Sequence, residues 1–172
     1  VGGGDIGAAL LEQDIGGVYF TGSYATGVKV AQAASKKLMR VQLELGGKDP
    51  AYVCDDVDPK SAAQNVASGV FYNTGQSCCS IERVYVHEKI YDAFVKEFLE
   101  EVASFKMGDP MEEGVFIGPL TRDPQRAVIQ AQVDDAVAKG ATLRCGGVSV
   151  DGPGYYYQPT VLTEVTAEMD VM

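Results

Sequence analysis

The chain of 172 residues has no tryptophan, a single histidine and no pair of cysteines at Cys-x-x-Cys spacing. Zinc sites are built from clustered histidines and cysteines, so His87 with four scattered thiols excludes a structural zinc, and no metal is expected. Cationic side chains are scarce: 14 Lys and Arg stand against 24 Asp and Glu, giving a net charge of −10. Nucleic acid and anionic membranes both select clustered positive charge, so neither is an expected partner. No apolar run approaches the roughly 18 residues of a membrane span. No basic leader is visible either. Nor is there an internal repeat or a low-complexity linker.

Apolar residues, at 46% of the chain, suffice for a core, and the composition is that of a soluble globular protein. The chain opens as VGGGDIGAAL, without a methionine, and ends on AEMDVM. Both ends read as cuts within a longer protein. Cys54, Cys78, Cys79 and Cys145 show no disulfide framework, and adjacent cysteines rarely bridge each other, which points to a reducing, cytoplasmic location.

Hydrophobic periodicity predicts helices at 6–12, 26–39, 58–73, 90–105 and 122–139. Strands are expected at 17–20, 41–45, 51–55, 83–88, 141–147 and 154–162. The helix at 58–73 should turn Ala62, Val66, Val70 and Phe71 inward; that at 90–105 should bury Ile90, Phe94, Phe98 and Val102. In the helix at 26–39, Val28, Val30, Ala31 and Ala34 share a face, Thr21 or Ser23 can cap the start, and Lys36, Lys37 and Arg40 suit the end. The segment 107–120, broken by glycine and proline, is a loop. Helices and strands alternate, which favours an α/β fold with mainly parallel strands and flanking helices.

Gly2, Gly4 and Gly7 match Gly-x-Gly-x-x-Gly, but no strand precedes them and no acid follows at the required distance, so they read as a turn into a helix. Phe20-Thr21-Gly22-Ser23 is a strand-to-helix turn. It offers free backbone N–H groups for a phosphate, or serves for capping alone. Cys54 and Cys145 fall in strand-like segments and read as buried structural thiols. Cys78 and Cys79 follow Asn73-Thr74-Gly75 in a turn, where functional groups concentrate. His87 lies at the far end of the next strand, which argues against a cysteine-protease pairing. Glu44 ends the strand Val41-Gln42-Leu43-Glu44-Leu45. It is either a solvent-facing residue or a carboxylate kept in an apolar setting for use.

The order FTGS, ELGGKDP, GQSCCSIER, with MGDP, IGPL, the Gly-Gly pair near 146 and GYYYQPTVL downstream, resembles the aldehyde dehydrogenase superfamily over nearly the whole chain. The resemblance implies an incomplete aldehyde dehydrogenase-like fold. Residues 1–46 would be the C-terminal part of a nucleotide-binding domain, and 47–172 the N-terminal part of a catalytic domain. The family's Gly-Gln-x-Cys pattern selects Cys78 as nucleophile and leaves Cys79 as a packing neighbour; ELGGK makes Glu44 the general base. Gly22, Ser23, Leu45, Gly46 and Gln125 match cofactor-contacting positions. The activity implied is oxidation of a small-molecule aldehyde to the acid through a thioester on Cys78, with NAD or NADP, in a homo-oligomer (dimer or tetramer). The family's oxyanion-hole asparagine, its ribose lysine and an EEIFGP-like segment have no counterpart in these residues, so the segment alone is expected to be inactive. A cysteine hydrolase predicts activity without nicotinamide, and a silent homologue needs neither Cys78 nor Glu44. A CoA-acylating member has no use for the water-activating Glu44.

Overall fold

The computed structural model describes residues 2–172, which fall into two compact units, Val1–Gly47 and Lys48–Met172. In the first unit, α1 (Gly4–Leu11), β1 (Gly17–Gly22), α2 (Tyr24–Ser35) and β2 (Arg40–Leu45) follow one another. β1 and β2 are parallel, with Gly17 opposite Arg40 and Gly22 opposite Leu45. A parallel pair needs a crossover, and α2 supplies it. Ser23 starts that helix by accepting the Thr26 N–H at 3.3 Å, the usual role of a serine at an N-cap. Gly27, Val30 and Ala34 are its buried residues. Val28 is exposed, contrary to its expected place on the inner face. At Gly27 the helix passes close to β2: a Cβ there would meet Leu45 Cδ2 at 2.8 Å, and the leucine side chain would have to shift. The helix stops at Ser35, earlier than its periodicity predicts. Lys37 then reaches back to α1, donating to the Leu11 and Gln13 carbonyls at 3.0 and 3.2 Å. It therefore satisfies the free carbonyls at the end of α1, not those of its own helix.

The second unit runs β3 (Asp49–Val53), α3 (Pro59–Phe71), β4 (Ile81–Val86), α4 (Tyr91–Ser104), α5 (Pro124–Ala138), β5 (Thr142–Cys145) and β6 (Val161–Thr163). β3 and β4 are parallel, whereas β5 and β6 are antiparallel, so the mainly parallel expectation holds for two of three pairs. Asp58 caps α3 through the Ser61 N–H at 2.8 Å, and Pro59 follows at the first helical position.

Val53, Ala63, Ala67, Phe71, Phe94, Phe98, Val102 and Ile117 form the core of this unit. On α4 the expected face is the observed one for Phe94, Phe98 and Val102, with Ile90 packed at its margin. On α3 the contact is shifted: Ala63 and Ala67 are fully buried, while Ala62, Val66 and Val70 flank them. The phenylalanines of α4 take up the volume between the helices, so the closest approach needs alanine and the valines move to its edges. Phe98 lies 5.6 Å from Phe94 and 6.4 Å from Phe71, ring centre to ring centre.

Two strand expectations change. Of the stretch 154–162, only Val161 and Leu162 enter a strand. Pro153 and Pro159 lack N–H groups, and Gly152 and Gly154 have φ of +119° and +93°, so a continuous ladder cannot form. The tyrosines there anchor individually: Tyr156 Oη donates to the Gly108 carbonyl at 2.9 Å and Tyr157 Oη to Gln130 Oε1 at 3.0 Å. Cys54 is exposed just beyond β3 and is not a buried core thiol. Cys145 is half-buried, and burial pushes its thiol pKa up, in keeping with a structural role.

Phe98→Ala is expected to destabilise this unit by about 3–5 kcal/mol through the cavity it leaves. A denaturant midpoint measured for the variant and the parent checks it.

Candidate active site

The segment between α3 and β4 departs from regular structure at once. Phe71 ends α3, and a single helical turn, Tyr72–Gly75, follows it. Inside that turn Asn73, Thr74 and Gly75 all have left-handed backbones, with φ of +50°, +58° and +69°. Glycine adopts this freely and asparagine tolerates it, but a β-branched threonine does not. Such a residue costs about 1–3 kcal/mol and persists only where its surroundings hold it.

Two sets of bonds do so. Thr74 Oγ1 accepts the Gly118 N–H at 3.1 Å and donates to the Gly118 carbonyl at 3.2 Å. Gln76 Nε2 donates to the carbonyls of Asn73 and Pro119 at 3.2 and 3.3 Å, and its Oε1 accepts from Thr121 N–H and Oγ1 at 2.8 and 2.9 Å. Below them Ser80, only 1% exposed, sets its hydroxyl 3.1 Å from the carbonyls of Gly75 and Ser77.

Cys78 and Cys79 both emerge exposed from this braced turn. Their settings differ. The Tyr72 hydroxyl donates to Ser77 Oγ, and Ser77 Oγ and Tyr72 Oη each lie 3.4 Å from Cys79 Sγ. Ser77 first and Tyr72 second hold the Cys79 thiol below its usual range. Cys79 is therefore a hydrogen-bonded thiol at the surface, not the packing neighbour expected. Its own N–H is directed to Ser77 Oγ at 3.4 Å. The Cys78 N–H has no acceptor among the described residues. A nucleophile whose backbone N–H is free can stabilise the oxyanion it creates, and of the two thiols Cys78 has that property. His87 is occupied elsewhere: its Nδ1 accepts the Lys89 N–H, and its Nε2 lies 4.0 Å from Asp55.

Gln125, at the start of α5, lines a cavity of ≈ 510 Å³ together with Thr74, Gly75 and Gln76. The structure thus brings a residue expected at the cofactor to the stem of the thiol turn. Of the bracing residues, Gln76 stood out in sequence only as part of the Gly-Gln-x-Cys pattern, and Thr74, Ser80, Gly118 and Thr121 were not assigned a bracing role. The signal for them was the co-occurrence of the GQSCC and IGPL motifs, whose backbones and side chains join here.

In the first unit, Glu44 stands exposed at the end of β2, opposite Thr21 of β1, and accepts from Gln42 Nε2 at 2.9 Å. It is solvent-facing here, so the cost of burying a carboxylate is not what keeps it. Gly22 and Ser23 lead into α2; a Cβ on Gly22 would meet the Phe20 ring at 2.5 Å. The first-turn N–H groups of Tyr24 and Ala25 have no intrahelical partner and point from a helix of 12 residues, which suits an anionic group. Leu45 is half-buried against α2, and Gly46 is exposed beside it.

Parallel βα units and a strained turn that presents thiols define an α/β protein with the parts for thiol chemistry. The chain belongs to the aldehyde dehydrogenase family, whose model matches residues 1–172. It is 43% identical over 160 residues to a succinate-semialdehyde dehydrogenase [NADP(+)] of Mycolicibacterium paratuberculosis, covering 93% of this chain and 34% of that one. Among solved structures it resembles 3,6-anhydro-L-galactose dehydrogenase in complex with NAP, at TM-score 0.93 and 38% identity, covering 99% of this chain and 37% of that one. It also resembles the NAD+ complex of an aldehyde dehydrogenase from Bacillus cereus, at TM-score 0.91 and 35% identity, over 96% and 34% of the two chains. The chain spans about a third of the length of the curated relatives it matches.

The hydrogen bonds to Cys79 have a pH signature. Removing a donor to a thiolate raises its pKa, so Ser77→Ala should move the alkylation midpoint of Cys79 to higher pH. Iodoacetamide labelling across pH, with the modified cysteine located by mass spectrometry, checks the direction.

Proposed function

We propose that this chain carries the nucleophile, the general base and part of the cofactor cradle of an NAD- or NADP-dependent aldehyde dehydrogenase. The observation that carries the reading is the free N–H of Cys78 on a turn whose strain is held by side-chain bonds. Residues 1–46 are read as the end of the nucleotide-binding domain and 47–172 as the start of the catalytic domain.

Cys78, as thiolate, attacks the aldehyde carbon, and its backbone N–H donates to the oxygen on which charge develops. NAD or NADP, when bound, supplies the hydride acceptor that aldehyde oxidation requires. Gly22 and Ser23, at the start of α2, would hold its pyrophosphate end, while Leu45, Gly46 and Gln125 would lie toward the nicotinamide and ribose side. Cys78 is left acylated as a thioester. Glu44 takes a proton from water so that the hydroxide attacks that thioester and releases the acid. Its exposure in this structure leaves it accessible to water.

The substrate class is a small-molecule aldehyde, and the curated relatives are named for succinate semialdehyde. NADP fits the naming of those relatives, and NAD fits the Bacillus cereus complex. Four free thiols suit a reducing cytoplasm. The assembly is read as a homodimer or homotetramer.

In the full-length protein Cys78→Ala should abolish aldehyde oxidation and Cys79→Ala should leave most of it. Turnover that survives loss of Cys78 and disappears with Cys79 would reverse the assignment. Glu44→Gln should slow the hydrolytic step by about 10²–10⁴ while cofactor binding stays intact. A burst of reduced cofactor followed by slow turnover is the expected trace in stopped flow; unchanged steady-state turnover would remove Glu44 from the role.

A further inference from the structure

Resting on the reading of Cys78 as nucleophile, we propose that Gln76 is a positioning residue that fixes the thiol turn to the segment ahead of α5. Every hydrogen-bonding position of its side-chain amide is used: Nε2 reaches the carbonyls of Asn73 and Pro119, and Oε1 receives N–H and O–H of Thr121. The orientation of the amide is fixed, because carbonyls only accept and the Thr121 N–H only donates. One side chain thus grips both the strained turn and the strand of chain beside it.

The far side of this grip is rigid. Ile117 is 1% exposed within the core, Leu120 is 5% exposed, and the Leu120 N–H is held by the Tyr155 carbonyl at 2.9 Å. Thr74 makes a parallel tie through both backbone groups of Gly118. The turn would otherwise relax, because a left-handed threonine is unfavourable without such restraint. Relaxation would move the Cys78 Sγ and its N–H together, and both have to be aimed at one carbonyl group. Gln76 touches neither thiol and acts only through the backbone between Asn73 and Cys78. The glutamine is specifically required: a glutamate has the same shape but would set carboxylate oxygen against the carbonyls of Asn73 and Pro119.

The test uses Gln76→Met, Gln76→Glu, Thr74→Val and Thr74→Ser in the full-length protein. Each is read by kcat, by the KM of cofactor and of a panel aldehyde, by melting temperature, and by iodoacetamide labelling of Cys78 against Cys79 without cofactor. Both Gln76 variants should lose about 10²-fold in kcat, the scale of a misplacement near 1 Å. Cofactor KM should stay within about twofold, and labelling should shift from Cys78 toward Cys79. Thr74→Val should move the same way, and Thr74→Ser, which keeps the hydroxyl, should recover most of the loss. Unchanged kcat and labelling ratio in Gln76→Met would overturn the proposal. So would a loss that follows only a lowered melting temperature and vanishes on cooling. Should Gln76→Met fail to fold, the Thr74→Val and Thr74→Ser pair decides. Persistent turnover in Cys78→Ala would overturn the underlying nucleophile assignment, whereas an inactive Cys78→Ala beside a fully active Gln76→Met would overturn the positioning role alone.

Discussion

The structure of the thiol turn depends on one constraint, the left-handed run from Asn73 to Gly75. A helix that simply continued past Phe71 would carry the cysteines away along its axis. Three consecutive left-handed residues end it abruptly and redirect the chain into β4. The conformation is unfavourable by itself, so its persistence requires external bonds. Thr74 and Gln76 supply them from the segment 118–121, and buried Ser80 supplies them from below. The exposed thiols thus rest on a stem held by side-chain bonds from both sides.

The packing of the second unit serves the same end. Ala63 and Ala67 let α4 approach α3 closely, and Phe94, Phe98 and Phe71 fill the space between them. That fixes the end of α3, from which the turn departs. Ile117 enters the same core, so the segment that braces the turn is anchored to the body that launches it. A core built of aromatic rings against alanines has few alternative packings, and the position of the turn inherits that definition.

The two thiols show how neighbours in sequence acquire different chemistry. Cys79 spends its N–H on Ser77, and the hydroxyls of Ser77 and Tyr72, each 3.4 Å from its sulfur, hold its thiol below the usual range. The Cys78 N–H meets no acceptor among the described residues. A low pKa makes a thiol ionise, but an acyl-transfer site also needs a donor aimed at the developing oxyanion. The two requirements fall on adjacent residues here, so thiol ionisation alone does not identify the nucleophile.

Periodicity determined by itself the amphipathic helices, because alternating burial imprints a regular pattern on α4 and marks β1, β2 and β4 as strands. Short motifs in order likewise determined the family to which the chain belongs. Tertiary structure decided what those local patterns do not encode. The inner face of α3 moved from Val66 and Val70 to Ala63 and Ala67, because the volume of a partner helix set the contact. Glycine and proline broke the expected strand at 154–162, and Cys54, read as a core thiol, lies exposed beyond its strand. The bonds from Gln76 to Pro119 and Thr121 span more than forty positions. Glutamine carries no hydrophobic period, and its partners are mostly backbone groups that every residue possesses. Only the folded chain can reveal which carbonyl and which N–H it meets.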